Sequence, residues 1–199
     1  MADLLQALSD PTRRRILDLL QDRATAVTVD EVAAAQGIHR SVAFDHLELL
    51  AGVGLLVRDS RAGFRGRPAR TYRSSGEAAE VSYPPRQHRL LAGLLAAAIA
   101  GGMEPTLAGE GYGRRLAAGS RTEAEAIARL EVLGGQYEVA GNLIKAHNCV
   151  FLEACNSARG VVCEVQAGLL QGALAASGSN RSVAPQGPDA GGGCGFEVR

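Results

Sequence analysis

The fold is decided by TVDEVAAAQGIHRSVAFDHLELLAGVGLLVRDSRAGFRGRPARTYR, residues 28–73. Thr28 or Asp30 can cap a short helix over 29–35, with Val32 and Ala33 inward. Gln36-Gly37-Ile38 makes the turn. His39 or Ser41 opens a second helix, with Val42, His46, Leu47, Leu50 and Val53 toward the core, and the glycines at 52 and 54 end it. A strand over 55–58, a Gly- and Arg-rich tip and a return strand over 70–74 form a basic hairpin. Helix, tight turn, helix and basic hairpin in this order predict a winged helix-turn-helix.

Upstream, residues 2–8 are amphipathic, and Ser9-Asp10-Pro11 marks a helix start because proline suits a first turn. Ile16, Leu17, Leu19 and Leu20 give that helix its apolar face. The chain has 199 residues, 46% hydrophobic and 21% charged, which excludes a disordered or collagen-like protein. The longest uncharged apolar run, 90–103, is shorter than the roughly 20 residues that a spanning helix needs. The opening residues hold acids and no apolar core of a signal peptide. A cytoplasmic protein without membrane association is expected.

The net charge of zero hides a local excess. Residues 58–73 carry six arginines against one acid, Asp59, a balance of +5. Such a patch fits an anionic partner. Aromatics are only 4% with no Trp, against the stacking platforms of single-strand binders. Double-stranded DNA is therefore the expected partner. The second helix would offer His39, Arg40, Ser41, Phe44, Asp45 and Glu48 to the major groove. Arg61, Arg65, Arg67 and Arg70 of the wing would meet phosphates or the minor groove.

The predicted class is α+β, in three parts: a winged helix-turn-helix over 1–83, a linker and dimerisation helix over 84–120, and a small cysteine-bearing α+β sensor domain over 121–199. Pro84-Pro85 marks the first break. The helix over 86–100 is apolar nearly all round and needs burial. A twofold mate would bury it, and a homodimer suits a palindromic operator. Residues 101–120 read as a Gly-rich hinge with a helix over 114–118. A helix over 121–133 has Ala124, Ile127, Ala128 and Leu130 on one side. Strands over 137–140 and 143–146 flank the Gly141-Asn142 turn. A helix over 161–176, a flexible loop over 177–193 and a strand over 196–198 complete the chain.

All four cysteines, Cys149, Cys155, Cys163 and Cys194, lie in the last quarter. In a reducing compartment, clustered thiols point to metal or redox chemistry before disulfides. The spacing C-x5-C-x7-C-x30-C contains no short pairs of a zinc ribbon and no ferredoxin run. Thiolates from separate elements can still converge on one centre. With Cys155 as a ligand the set is complete; otherwise His147, Glu164 or an exogenous group would be the fourth. The chain lacks GxSxG, P-loop, HExxH and dinucleotide motifs, which speaks against an enzyme.

IHRSVAFDHLELLAGVGLL (38–56), GRPARTYR (66–73), YPPRQHRLLAGLLAAAI (83–99), HNCVF (147–151), VVCE (161–164) and GGCGFEV (192–198) resemble the SufR-type winged-helix repressors, whose DNA-binding domain is of the ArsR/MarR/DeoR kind. The resemblance runs nearly end to end. It implies a transcriptional repressor controlled by a [4Fe-4S] or [2Fe-2S] cluster, with Cys149, Cys163 and Cys194 at the family's three cluster cysteines. Val150 stands where the family usually has proline, and Cys155 matches no standard family position. A zinc- or thiol-sensing regulator without a cluster is the alternative.

Overall fold

The computed structural model describes residues 2–23, 25–61, 69–188 and 193–199. The chain divides into two compact units, Met1–Val81 and Ser82–Arg199.

In the first unit, α1 (Ala2–Ser9) and α2 (Pro11–Gln21) are followed by β1 (Val27–Thr28), α3 (Val29–Gln36), α4 (Arg40–Gly52), β2 (Leu56–Arg61) and β3 (Ala69–Ser74). Asp10 caps α2 by accepting from the Thr12 and Arg13 amides, with Pro11 in the first turn. Of the two starts open for α3, Thr28 is the cap, in a reciprocal capping box with Glu31. Gly37 then takes a left-handed φ of 64°, ending α3 and aiming the chain into α4. His39 caps α4. The core joins Ile16, Leu17 and Leu20 of α2, Val32 of α3, Ala43, Leu47 and Leu50 of α4, and Tyr72 of β3. Two faces of α4 differ from expectation. Val42 is 41% exposed, because Ala43, one position on, is the residue turned inward. His46 is half-buried at the edge of the core.

The sheet of this unit is antiparallel in the order β1-β3-β2. The wing strands are longer than the sequence suggests, pairing from Leu56↔Ser74 to Arg61↔Ala69. Arg65 and Arg67, at the tip, lie outside the described residues.

The second unit begins with α5 (His88–Gly101) and α6 (Pro105–Leu116), followed by α7 (Glu123–Leu130) and a 3-10 turn (Glu131–Leu133). The remaining elements are β4 (Gln136–Ala140), β5 (Leu143–Asn148), α8 (Leu152–Ala176), β6 (Val183–Pro188) and β7 (Cys194–Val198). The four strands form an antiparallel sheet in the order β4-β5-β7-β6. One core cluster joins this sheet to α7 and the C-terminal half of α8 through Ile127, Ile144, Leu170, Leu174 and Phe196. A second joins α5 to the N-terminal half of α8 through Leu91, Leu94, Phe151, Val162 and Leu169.

Four expectations for this half change. The Gly-rich stretch is no hinge, since α6 runs through it and its glycines let two backbones touch. A Cβ on Gly109 or Gly113 would stand 2.3 or 2.1 Å from the carbonyl oxygen of Val165 or Leu169. A Cβ on Gly168 or Gly172 of α8 would stand 2.0 Å from those of Thr106 or Glu110. In both helices the glycines are four apart and so share a face. Residues 177–193 are no simple loop, because β6 pairs with β7 at the sheet edge, where its prolines are tolerated. On α7 the inward residues are Ala126, Ile127 and Leu130, whereas Ala124 and Ala128 are exposed. On α5, Leu91, Leu94 and Ala98 are buried within the unit, while Ile99 is 83% exposed.

Candidate nucleic-acid interface and thiol site

The exposed N-terminal turn of α4 holds His39, Arg40 and Ser41. His39 Nδ1 lies 2.8 Å from the Ser41 hydroxyl and accepts from the Ser41 amide. Arg40 is 66% exposed, with Nε 2.7 Å from Asp30. A pair this exposed contributes little to stability, so the guanidinium can leave it for a phosphate or a guanine edge. Asp45 is also exposed. Phe44 is not an open contact residue: it is half-buried, with the Arg70 guanidinium 5.6 Å above its ring. A groove of about 690 Å³ runs between the start of α4 and the wing, lined by Asp30, Arg40, Phe44, Ser60 and Arg70 among others. Arg61 ends β2 beside it in sequence.

Glu48 faces the wing rather than open solvent. Its carboxylate takes a 2.6 Å hydrogen bond from the Tyr72 hydroxyl and ion pairs at 3.2 Å from both Arg58 and Arg70. Sequence reasoning placed Glu48 among the groove-reading side chains, but its register opposite β2 and β3 makes it the tie between α4 and the wing. The Tyr72 hydrogen bond, followed by that of Arg58, holds the Glu48 carboxyl below its ordinary pKa of 4.5. Burial and the same carboxylate push the Tyr72 phenol to about 12. A depressed carboxyl contributes stability above its unfolded pKa and loses it as pH falls through the folded value. The stability advantage of wild type over Glu48→Gln is therefore expected to be full above pH 4.5 and to shrink below it. Thermal melts from pH 7 to about 3 read this directly.

In the second unit the cysteines come from three places: Cys149 after β5, Cys155 and Cys163 on α8, and Cys194 opening β7. None is disulfide-bonded. Eight residues of straight helix would separate Cys155 and Cys163 by about 12 Å. Their sulfurs are 3.9 Å apart because α8 is kinked at Ala158, where φ is −145° and ψ is 54°. Cys194 pairs across the sheet with Ala146, and Phe196 with Ile144. Cross-strand partners share a face. Ala146, Ile144 and Phe196 are buried, so Cys194 belongs to the inner face, where it packs against the core.

Burial pushes the Cys149 thiol up to about 11, and the nearby Cys194 and Cys155 add to the rise. Burial pushes Cys163 up to about 12, with Cys155, Cys194 and Cys149 adding to it. Cys163 thus lies within electrostatic reach of the other three thiols. The Phe151 amide offers a hydrogen bond to the Cys149 sulfur. Such a donor stabilises a sulfur that carries charge.

The other two residues considered as a fourth ligand are placed differently. His147 follows the inward Ala146 and so lies on the opposite face, with Nε2 2.9 Å from Glu138. Glu164 is half-buried beside Cys163 on α8. Among the described residues, no three His, Cys, Asp or Glu side chains stand close enough together to hold a single metal ion. No helix of the described residues is long and apolar enough to cross a membrane.

Sequence reasoning missed Arg86, whose side chain is only 8% exposed although it is charged. Its Nε contacts both Glu153 carboxylate oxygens at 2.8 and 2.7 Å, and its Nη1 donates to Asn148 Oδ1 at 2.8 Å. No local pattern marks such a residue, because Asn148 and Glu153, which hold its guanidinium, are more than 60 positions away in the chain.

Residues 8–59 match the family model described as a helix-turn-helix domain. No curated protein matches the chain. The match covers α2, α3, α4 and most of β2, the elements that form the exposed turn and one edge of the groove. The first unit is a winged helix-turn-helix domain, the build of a DNA-binding transcription regulator.

Proposed function

We propose that this chain is a homodimeric transcriptional repressor whose DNA affinity is controlled by an iron–sulfur cluster held by Cys149, Cys163 and Cys194, with Cys155 as the fourth ligand. The observation that carries this reading is the 3.9 Å approach of Cys155 and Cys163 on the kinked α8, with Cys149 and Cys194 on neighbouring strand ends, in a chain that also bears a winged helix-turn-helix. The donor set fits such a group. It is all thiol, as iron–sulfur clusters prefer, and buried sulfurs are costly as bare thiolates, a cost that the Arg86 charge acting on Cys149 offsets only in part. The irons of a cluster would offset the rest. Two thiolates on one tetrahedral metal with bonds of about 2.3 Å lie about 3.8 Å apart, which the 3.9 Å between Cys155 and Cys163 matches. These two would share one iron of a [2Fe-2S] cluster, because each iron of a [4Fe-4S] cluster takes a single thiolate.

A colourless zinc site is the second reading; it would need Cys149 or Cys194 to close on the Cys155–Cys163 pair, because no three ligands stand together among the described residues. A purely thiol-based sensor is less well supported, because reactive cysteines have lowered pKa values and those of Cys149 and Cys163 are raised.

The exposed Ile99 side of α5 would pack against a second copy, giving two recognition helices for a palindromic site in a cytoplasmic dimer. Arg40 would read a base or a phosphate at the start of α4. Arg61, Arg65 and Arg67 would contact phosphates, and Arg70, tied to Glu48, would set the wing's angle. Replacing Arg65 and Arg67 together with alanine is expected to reduce the salt slope of binding to a mixed-sequence duplex by roughly one to two units. A salt titration that gives the wild-type slope would take the wing out of the interface.

A further inference from the structure

We infer that Arg86 is the positioning residue that couples the thiol site to the segment by which the chain leaves the winged unit; this rests on the sensor reading above. Residues 82–87 form a strap that leads directly into α5. Arg86 ties it to Asn148, the residue before Cys149, and to Glu153, two residues before Cys155. The Gln87 amide donates to the carbonyl of Val150, the residue after Cys149, at 2.9 Å. The Gln87 side chain donates to Leu133 O at 3.0 Å, and Ser82 Oγ accepts from the Arg86 amide at 2.8 Å. Pro85 packs so closely on Gly134 that a Cβ there would come within 2.2 Å of it.

The strap is therefore bonded to both flanks of Cys149 and to the first turn of α8. Any rearrangement of residues 148–153 must either carry the strap with it or break charge-assisted hydrogen bonds around a nearly buried guanidinium. The strap is continuous with Ser75–Val81, the end of the winged unit. A change at the thiols that moves residues 148–153 would therefore pass to that segment through one short run of chain.

Two measurements test this. In the metal-free protein, Cys149→Phe adds bulk beside Val150. Amide exchange over 87–92 is then expected to quicken about ten-fold relative to wild type. In Arg86→Gln, exchange there is fast beforehand and Cys149→Phe adds nothing, while Arg86→Lys restores part of the protection. In the anaerobically loaded protein, binding to a duplex selected from a random pool is compared before and after the metal is stripped. Arg86→Gln is expected to keep its iron and sulfide but to lose the loaded-to-stripped affinity ratio of wild type. Should Arg86→Gln fold poorly, Glu153→Gln breaks the same bond from the other side and is expected to act in the same direction.

Wild-type exchange over 87–92 in Cys149→Phe would overturn the inference. So would an Arg86→Gln protein that keeps the full affinity ratio. A wild type without metal or DNA binding would instead fail the sensor reading, and the exchange result would still decide the coupling.

Discussion

Gly113→Ala is expected to destabilise the second unit by about 3 kcal/mol, the upper end of the cost of overpacking. The added Cβ would stand 2.1 Å from the Leu169 carbonyl oxygen and 2.9 Å from its carbon, both backbone atoms that no rotamer change can move. Alanine's better helix propensity, about 1 kcal/mol, does not offset this. Gly172→Ala is expected to behave alike, because its Cβ would meet Glu110 O at 2.0 Å and the Arg114 amide at 2.8 Å. The two changes push the same pair of helices apart, so their costs should not add. Gly93 in α5, whose Cβ would meet nothing within 4 Å, is the control and should gain slightly as alanine. Denaturant unfolding followed separately for the two units measures this, and the winged unit should unfold as in wild type. Equal stability of Gly113→Ala and wild type would contradict the close α6–α8 contact.

The second large effect is expected at the cysteines. If the four thiols hold one centre as proposed, Cys149→Ser, Cys163→Ser and Cys194→Ser should each lose it, because each removes one of its thiolates. Cys155→Ser discriminates. Its position 3.9 Å from Cys163 implies loss there too, whereas full retention would leave Glu164 or an exogenous group as the fourth ligand. The glycine-rich approach to Cys194 suggests from sequence that losing the centre would free the C-terminal arm. The sheet gives a different expectation. β7 is an interior strand, paired on both sides and anchored by the buried Phe196 and Val198, so it should stay protected from exchange in Cys194→Ser. Iron and sulfide assays on the four variants, with exchange over 194–198, separate these outcomes.

What was legible in the sequence follows from range. The helix-turn-helix rests on local chemistry: a capping threonine, a left-handed glycine at 37, a pair of antiparallel wing strands. Each acts within a few residues, so the pattern shows it. Glu48 was misplaced because its role depends on Arg58, Arg70 and Tyr72, 10 to 24 residues away across the wing. In the second unit, glycines at 109, 113, 168 and 172 have the composition of a hinge, and only the facing helix reveals them as contact points. Pro185 and Pro188 read as loop until the strand order shows that β6 is an edge. The thiol cluster was legible as a composition bias. Its closest pair was not, because the kink at Ala158 that joins Cys155 to Cys163 has no proline or glycine at that position to announce it.

The central claim, that the thiols hold an iron–sulfur cluster that sets DNA affinity, is tested most directly on protein purified without oxygen. Iron and acid-labile sulfide are assayed per chain, and binding to a selected duplex is measured before and after the centre is removed. The expected result is iron and sulfide in comparable amounts and a DNA affinity that changes on removal. Zinc in their place, or protein with neither iron nor sulfide, would contradict it.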